Sequence, residues 1–363
     1  MEGRIGRLGA KLAERGLDGI ILPAPESLTN VQVRYLTGFS GSSSYVLGTR
    51  SGAWLLTDFR YIEVATAQAV GYEVVRHERD YVVTLARLVA EAGLARVGFE
   101  ASHVPVAMLA AWQRAMPSVD FVPVGTLMQE LRIVKDPAEI ASIRRAAEGA
   151  GQALLALLPT IAGRREIDFA VDLEHRMRAL GLDGPGFPTI VASGERGSLP
   201  HAQPGERVVR PGEMVTVDFG GLSEGYRSDE TLTFGVGTVP ARLREIFDVV
   251  HSAQAAGIAA VRAGVRASAV DQAARAVIEA AGYGEAFGHG TGHGVGLDVH
   301  ERPFAAREPE PDRDDVLGAG MTITVEPGIY LPGVGGARLE DTLLVTANGC
   351  ERLTTVPKEW LSL

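Results

Sequence analysis

The chain has 363 residues, 46% of them hydrophobic and 22% charged, so it is long enough for two domains with cores of their own and excludes extended disorder. Its 35 Lys and Arg against 45 Asp and Glu give a formal charge of -10, which argues against nucleic acid or a membrane surface as a partner. Its one cysteine, Cys350, cannot form an internal disulfide, and no run approaches the roughly 18 apolar residues of a membrane span, so we expect a cytoplasmic protein.

The first 135 residues predict an α/β domain, because short apolar runs alternate there with helical patterns. The predicted strands cover residues 19–22, 45–47, 53–56 and 97–99, and the predicted helices cover 61–70, 81–92 and 106–115.

Residues 136–363 predict a second domain, of α+β type. Its boundary is placed at Asp136-Pro137, since Asp can cap a helix whose first position is proline. Long helical patterns alternate with glycine-rich, strand-like segments, and two helices followed by strands occur twice, which hints at an internal duplication. The predicted helices cover 138–158, 165–180, 241–263 and 267–281.

Two aspartates lie on strand-like segments that are joined by a turn. Residues 214–220 alternate between apolar and polar positions, and Asp218 falls on the polar face. After a turn rich in Gly and Ser, residues 228–234 return with Asp229 on the same face as Thr231. A hairpin would bring Asp218 and Asp229 together, although aspartates beside turns are common without any chemical role.

A glycine-rich segment, residues 288–301, carries His289, His293 and His300. Glycine lets an ion or a ligand approach the backbone closely, and neutral imidazole is the commonest metal ligand. A packing role would not require so many glycines. A phosphate-binding loop is the other interpretation, but the spacing is not Gly-x-Gly-x-x-Gly and no Lys-Ser or Lys-Thr follows.

Two further alternating segments each place a glutamate on a polar face. Glu326 ends the first of them, directly before a Pro-Gly turn. In residues 338–345, which we interpret as one strand, Arg338 and Glu340 share a face. Either glutamate alone would more often be a solvated residue or an ion-pair partner.

Together these residues predict a centre for two divalent metal ions. Four carboxylates cannot share a pocket without cations, because clustered like charges raise one another's pKa and burial adds a further cost. Two ions can activate a water molecule and polarise a carbonyl, which is the chemistry of peptide hydrolysis. Oxygen-rich ligation with one imidazole suits Mn²⁺ and also admits Co²⁺ or Zn²⁺. The predicted metal ligands are Asp218, Asp229, His293, Glu326 and Glu340.

Short motifs follow one another in a characteristic order, starting with His201, seventeen positions before Asp218. They are Val-Asp-Phe-Gly, Gly-Tyr-x-Ser-Asp-x-Thr, Gly-Thr-Gly-His-Gly-Val-Gly, Asp-Val-His-Glu-x-Pro, Val-Glu-Pro-Gly-x-Tyr and Arg-x-Glu-Asp. This series resembles the pita-bread metallopeptidases, which include prolidase, aminopeptidase P and methionine aminopeptidase, and their metal-free relative creatinase. The resemblance covers about residues 136–357 and implies a pita-bread catalytic domain.

The resemblance implies a role for each predicted ligand. Asp218 would chelate one ion, Asp229 and Glu340 would bridge both, and His293 and Glu326 would complete the other. Glu326 would also take the proton from the bridging water.

The same resemblance implies a substrate site. His201, His289 and His300 would line it and hydrogen-bond the scissile peptide or the developing oxyanion. Arg338 would orient the carboxylates, and Tyr330 would contact them or the substrate.

The segment 34–61, with Tyr-Leu-Thr-Gly-Phe-Ser-Gly-Ser and Thr-Asp-Phe-Arg-Tyr, resembles the amino-terminal domain of aminopeptidase P and prolidase relatives. Methionine aminopeptidases usually lack this creatinase-type domain. The resemblance implies that residues 1–135 control substrate access and form the contacts of a homodimer. The resemblance favours a Xaa-Pro aminopeptidase acting on peptides with proline in second position; the alternative is a Xaa-Pro dipeptidase restricted to dipeptides. A bond to proline lacks an N–H and restricts the backbone, so it requires a dedicated pocket.

Two other classes stay open in the sequence. A creatinase-like hydrolase would work without metal, but charge balance gives no reason to keep all five predicted ligands in an ion-free pocket. A catalytically silent binding protein on the same fold would be expected to have lost ligands. Metal content and the activities of Asp229→Ala and His293→Ala distinguish these classes from a metallopeptidase.

Overall fold

The computed structural model describes residues 2–309 and 314–363. The chain divides into two compact units, Met1–Arg132 and Ile133–Leu363, a few residues before the Asp136-Pro137 step at which the sequence places the boundary. None of the helices in the described ranges combines the length and the apolar character that a membrane span requires.

The first unit alternates strands and helices. Its strands are β1 (Gly19–Ala24), β2 (Ser44–Thr49), β3 (Ala53–Thr57), β4 (Glu73–Arg76), β5 (Arg96–Phe99) and β6 (Asp120–Pro123). Its helices are α1 (Glu2–Glu14), α2 (Val31–Thr37), α3 (Ile62–Gln68), α4 (Tyr81–Glu91), α5 (Val106–Ala115) and α6 (Leu127–Arg132).

These strands form one mixed sheet in the order β4-β3-β2-β1-β5-β6, with β1 antiparallel to β2 and parallel to β5. Every residue of β1 is buried, as expected for a central strand. The four predicted strands correspond to β1, β2, β3 and β5. The sequence missed β4 and β6 because both are edge strands with exposed ends and no continuous apolar run.

The second unit begins with a long helix whose predicted start is confirmed. The side chain of Asp136 accepts hydrogen bonds from the backbone N–H groups of Ala138 and Glu139, and Pro137 occupies the first position. The other three predicted helices are also present, with ends that differ by a few residues. The helices are α7 (Pro137–Leu157), α8 (Glu166–Ala179), α9 (Ala241–Ala260) and α10 (Ala267–Ala280).

The strands of this unit follow each helix pair in turn, so the order of two helices and then strands occurs twice along the chain. After α8 come β7 (Gly184–Pro185), β8 (Ile190–Ser193), β9 (Glu213–Phe219), β10 (Gly221–Ser223), β11 (Tyr226–Arg227) and β12 (Glu230–Val236). After α10 come β13 (Gly292–Gly294), β14 (Glu301–Ala305), β15 (Thr322–Val325), β16 (Gly328–Leu331), β17 (Gly335–Arg338), β18 (Asp341–Val345) and β19 (Cys350–Arg352).

Antiparallel pairs build this part of the chain. The strand orders are β12-β9-β8, β15-β18-β19 and β11-β10-β7, with hairpins β13-β14 and β16-β17. Helices pack on the apolar side of β9 and β12, where Leu154, Phe169, Val217, Phe234 and Phe247 are buried in one core. The polar sides of the same strands, which carry Asp218 and Thr231, face away from this core.

Candidate metal centre

Asp218 and Asp229 lie side by side on antiparallel strands. Asp218 is near the end of β9 and pairs with Thr231 of β12, while Asp229 directly precedes β12. This register confirms the predicted pairing of the two segments. Their connection is more elaborate than a simple turn because it contains β10 and β11.

Close packing holds His293 on β13. Its backbone N–H donates to Thr324 Oγ1 at 3.1 Å. A Cβ on Gly292 would lie 1.9 Å from the carbonyl oxygen of Thr324, and one on Gly294 would lie 2.3 Å from that of Arg302, so neither position has room for a side chain. His293 Nδ1 lies 3.1 Å from the carbonyl oxygen of Gly294, so we assign the ring proton to Nδ1, which leaves Nε2 free to bind a cation.

Glu326 is attached to the segment that carries His293. Its backbone N–H donates to the carbonyl oxygen of Thr291 at 2.7 Å, at the end of β15. Nε2 of His293 lies 3.4 Å from Oε1 of Glu326 and 3.7 Å from Oδ2 of Asp229. The Nε2 nitrogen of the imidazole is therefore close to two other predicted ligands.

Glu340 lies at a step between two strands rather than within one. The prediction of a single strand over 338–345 is wrong, since β17 ends at Arg338 and β18 begins at Asp341. The reason is that Glu340 pairs with Thr231 of β12: its N–H donates to the carbonyl oxygen of Thr231 at 3.1 Å, and its Oε2 accepts from Thr231 Oγ1 at 2.7 Å. This pairing brings Glu340 beside Asp229.

The five predicted ligands line one cavity of about 970 Å³. Ligand atoms of Asp229, His293 and Glu340 lie within 4.8 Å of one another, and all three residues are buried. Asp218 and Glu326 line the same cavity. The sequence did not predict its apolar wall, which includes Phe187, Pro188, Ile190, Val299, Phe304 and Pro332.

Arg338 connects the carboxylates to the cavity wall. Its guanidinium donates to Asp218 Oδ2 at 2.6 Å, to the Tyr330 hydroxyl at 3.0 Å and to Thr231 Oγ1 at 3.2 Å. It also donates to the carbonyl oxygen of Pro200 at 3.2 Å, in the loop that carries His201. The side chain is thus held on several sides, as an orienting role requires.

His289 is hydrogen-bonded on both ring nitrogens. The carbonyl oxygen of Gly290 can only accept, so His289 Nδ1 donates to it at 2.8 Å; in a neutral ring Nε2 then accepts from the Tyr330 hydroxyl at 2.8 Å. Burial lowers the pKa of His289, which agrees with a neutral ring. In this conformation neither nitrogen of His289 is available to a substrate.

His201 and His300 both line the cavity, where each is exposed. The ring centroid of His300 lies 4.3 Å from that of His293, and partial burial followed by the nearby His293 lowers the pKa of His300. His201 follows a short 3-10 helix, Gly194–Ser198. Both imidazoles therefore lie on the open side of the predicted ligand cluster.

Both parts of the chain match the models of known protein families. Residues 141–347 match the model of metallopeptidase family M24, and residues 4–134 match the creatinase/prolidase N-terminal domain. The chain belongs to family M24.

This M24 chain is similar over most of its length to named peptidases and to solved structures. It is 40% identical to the solved structure of a Xaa-Pro dipeptidase from Bacillus anthracis over 99% of both chains, with a TM-score of 0.94. It is 34% identical to an X-Pro aminopeptidase structure from Thermotoga maritima over 97% of this chain and 99% of that one, with a TM-score of 0.90. A Xaa-Pro dipeptidase of Pyrococcus horikoshii is 35% identical over 91% of this chain and 92% of its own length.

The side chains of this M24 site fit metal ions on their own chemistry. Asp218 Oδ1 and Glu340 Oε1 are buried without a hydrogen-bond partner. Burial raises the pKa of Asp218, although Arg338 opposes the rise. Burial, and after it repulsion from neighbouring carboxylates, raises the pKa of Asp229 well above its usual range and raises that of Glu340 to about 8. A raised pKa means that burial disfavours the ionised carboxyl, and a bound cation would favour it, so these side chains fit metal ligation.

His293 and Glu326 form an ion pair at the same site. Burial opposes the charge on each and is the largest single influence, but their hydrogen bond and the attraction of nearby opposite charges together outweigh it, lowering the pKa of Glu326 to about 2 and raising that of His293 to about 9. An imidazole that ligates a metal must be neutral, so a cation that binds His293 displaces its second proton.

Sequence reasoning missed a buried pair that holds the glycine-rich segment of this M24 chain. Asp271 Oδ1 accepts from the N–H and hydroxyl of Thr291 at 3.0 and 2.8 Å. Arg275 forms two bonds to Asp271 and donates to the carbonyl oxygens of Phe287 and His289 at 2.9 and 2.7 Å. The spacing of four residues on a predicted helix indicates such a pair but not the loop that it holds.

Proposed function

We propose that this chain is a dinuclear metal hydrolase, with Mn²⁺ as its preferred ion, that cleaves the peptide bond between an N-terminal residue and proline. The observation that carries the proposal is the convergence of four carboxylates and one imidazole on one cavity, with two buried carboxylate oxygens left without partners. Bound ions would supply a water of lowered pKa and polarise the scissile carbonyl.

In this proposal each ligand has a defined place. Asp229 and Glu340, which the pairing of Thr231 with Glu340 brings together, would be shared between the two ions. Asp218 would hold one ion, and Arg338 orients its carboxylate by donating to Oδ2. His293 and Glu326, which contact each other, would hold the second ion.

The remaining groups bind the substrate and move protons. Glu326, whose carboxylate lines the cavity beside the other ligands, would take up the proton of the attacking water. His201 and His300 donate to the scissile peptide or the oxyanion from the open side of the cavity. His289 and Tyr330 position Arg338 instead, because both ring nitrogens of His289 are occupied by the protein.

Substrate length separates two candidate functions. We place Xaa-Pro dipeptidase first, because the relatives from B. anthracis and P. horikoshii carry that name. Xaa-Pro aminopeptidase, which the sequence favours, is the second candidate and is supported by the cavity itself. Among the described residues that line the cavity, Arg338 is the one Lys or Arg, and it is bonded to Asp218, Tyr330 and Pro200. The C-terminal carboxylate of a dipeptide would find no uncommitted cation in this wall.

Four substrates with related scissile bonds test both candidates in the presence of Mn²⁺. A dipeptidase is expected to cleave Ala-Pro and to leave Ala-Pro-amide and Ala-Pro-Ala intact, because it requires the free carboxylate. An aminopeptidase is expected to cleave the amide and the tripeptide at least as well as Ala-Pro. Ala-Ala is the control for proline preference, and its cleavage at the same rate would contradict both candidates. Failure to cleave any of the four would reject the proposed function.

A further inference from the structure

A buried lysine from the C-terminal tail lies behind the candidate metal centre. Lys358 is 3% exposed and contacts Glu230 and Asp341, which are 1% and 0% exposed. Glu230 directly follows Asp229, and Asp341 directly follows Glu340. Because neighbouring side chains point to opposite faces of an extended chain, each pair has one carboxylate facing the cavity and one facing away from it.

The tail holds both rear carboxylates at once. Lys358 Nζ hydrogen-bonds Glu230 Oε1 and lies 3.6 Å from Asp341 Oδ1. The N–H of Val356 donates to the same oxygen of Glu230 at 3.0 Å, and Thr354 Oγ1 donates to Asp341 Oδ1 at 2.6 Å. Residues 354–358 therefore connect the start of β12 to the start of β18.

In the described residues no ladder of backbone hydrogen bonds fixes the spacing of these two strands. They belong to different sheets, and the chain joins them at an isolated bridge between Thr231 and Glu340. Two side-chain hydrogen bonds at this point support the bridge, from Thr231 Oγ1 to Glu340 Oε2 and from Thr342 Oγ1 to the carbonyl oxygen of Asp229, both at 2.7 Å. Without an extended ladder, the separation of Asp229 and Glu340 depends on single contacts of this kind.

Stability alone is a weak reason for a buried ion pair in this position. Desolvation of the charges offsets most of their attraction, and well-packed apolar residues often do as well or better. Lys358 does not line the cavity, so direct contact with a substrate is not its role either. Its location between the two ligand-bearing strands leaves alignment of the ligands as the role that the geometry supports.

We propose that Lys358 is a positioning residue for the metal centre. By holding Glu230 and Asp341 together, it sets the separation of Asp229 and Glu340 and so the affinity of the site for metal. The inference rests on the proposed metal-dependent function and adds to it a residue at the far end of the chain.

Mn²⁺ affinity of the chelator-treated protein, measured by titration calorimetry, tests the proposal beside the thermal unfolding midpoint. Lys358→Met removes the ammonium and keeps the length of the side chain. The double variant Lys358→Met/Glu230→Gln also removes the carboxylate that would be left buried and unpaired. Leu173→Ala, a fully buried position on α8 that does not line the cavity, is the control for a general loss of stability.

Both lysine variants are expected to bind Mn²⁺ about 10- to 100-fold more weakly than the wild-type chain, as when an outer partner of a metal ligand is lost. The double variant is expected to regain much of the unfolding midpoint that the single variant loses, and it serves alone if the single variant does not fold. Leu173→Ala is expected to lower the midpoint without changing the affinity.

Wild-type affinity for Mn²⁺ in either lysine variant would overturn the proposal. If the single variant bound Mn²⁺ weakly and the double variant bound it normally, the unpaired Glu230 carboxylate, and not the loss of Lys358, would be the cause of the weaker binding. Equal weakening in Leu173→Ala would reduce the effect to general stability and overturn it as well. A wild-type chain that binds no Mn²⁺ would instead reject the proposed function, and with it this inference.

Discussion

The front and rear faces of the strands that carry Asp229 and Glu340 both bury carboxylates, but the groups beside those carboxylates differ. On the front, Glu340 Oε1 has no hydrogen-bond partner and the pKa of its carboxyl is raised to about 8, first by burial. On the rear, Glu230 Oε2 also lacks a partner and burial raises the pKa of Glu230, but Lys358, which pairs with Glu230 and lies close to Asp341, opposes that rise. Carboxylates that are neighbours in sequence thus differ in whether a lysine of the same chain pairs with them.

The comparison shows how a chain can keep several carboxylates buried within a few residues of one another. Lys358 supplies positive charge to the rear carboxylates, so attraction within the folded chain offsets part of the desolvation of these groups. In the proposed function, bound metal ions would supply the positive charge of the front cluster instead. Removing one negative charge should therefore have opposite effects on the two faces of the metal-free protein.

The largest effect is expected for Asp229→Asn, on the front. With Mn²⁺ and a Xaa-Pro substrate, kcat/KM should fall by at least about 1000-fold, since a misplaced metal centre forfeits several kcal/mol of transition-state stabilisation. In chelator, the same variant should unfold at a higher temperature than the wild type, because it relieves repulsion at a carboxyl whose pKa burial and Glu340 both raise.

The activity assay and the unfolding scan in chelator check these two expectations separately. Glu148→Gln, at an exposed glutamate of α7, is the control for loss of one negative charge and should change neither quantity appreciably. A lower unfolding temperature for metal-free Asp229→Asn would mean that the front cluster is not electrostatically strained.

The next largest effect is expected on the rear, for Glu230→Gln. The change should lower the free energy of unfolding by about 2 kcal/mol, because it removes the carboxylate that Lys358 contacts and leaves a buried ammonium. The loss should stay below the 3–5 kcal/mol typical of breaking a buried pair, because Asp341 stays 3.6 Å from Lys358 and because burial, which raises the pKa of Glu230, already disfavours its charged form. Urea unfolding with and without Mn²⁺ measures it, and a loss should appear in both conditions. A gain of stability in chelator would show that removing a negative charge has the same effect on both faces, and would contradict the difference between them.

Sequence patterns predict the front face far better than the rear. Alternation within a strand is local, so it places Asp218, Asp229 and Glu326 on polar faces without knowledge of any partner. Lys358 reaches Glu230 across 128 positions, and a single lysine near the C-terminus carries no periodicity that would indicate this contact. The split of residues 338–345 was missed for the same reason, since the pairing of Glu340 with Thr231 depends on a distant strand.

The histidines show a second limit of sequence. The motif predicts equal access to substrate for His201, His289 and His300. The structure distinguishes His289, whose nitrogens bond Tyr330 and Gly290, from the two that lie on the open side. Hydrogen-bond satisfaction depends on side-chain orientation, which spacing in the sequence does not encode.

A smaller effect is expected where the glycine-rich segment meets α10. Arg275→Met removes the donors to the carbonyl oxygens of Phe287 and His289, so the loop before His293 loses its anchor. We expect kcat/KM to fall about 10- to 100-fold. Arg275→Lys, which keeps the charge but cannot form the paired bonds to Asp271, should show an intermediate loss. Equal rates for the three proteins would show that the anchor has no influence on the site.

The smallest effect is expected at the seam between the two faces, for Thr231→Val. Its hydroxyl donates to Glu340 Oε2 and accepts from Arg338, and valine has the same shape without the hydroxyl. Loss of one such bond is worth about 1 kcal/mol, or about a fivefold weaker affinity for Mn²⁺ by calorimetry. Thr231→Ser keeps the hydroxyl and should bind Mn²⁺ like the wild type. If the serine variant were weakened as much as the valine variant, the methyl group at this position, and not the hydrogen bond to Glu340, would control the position of the Glu340 carboxylate.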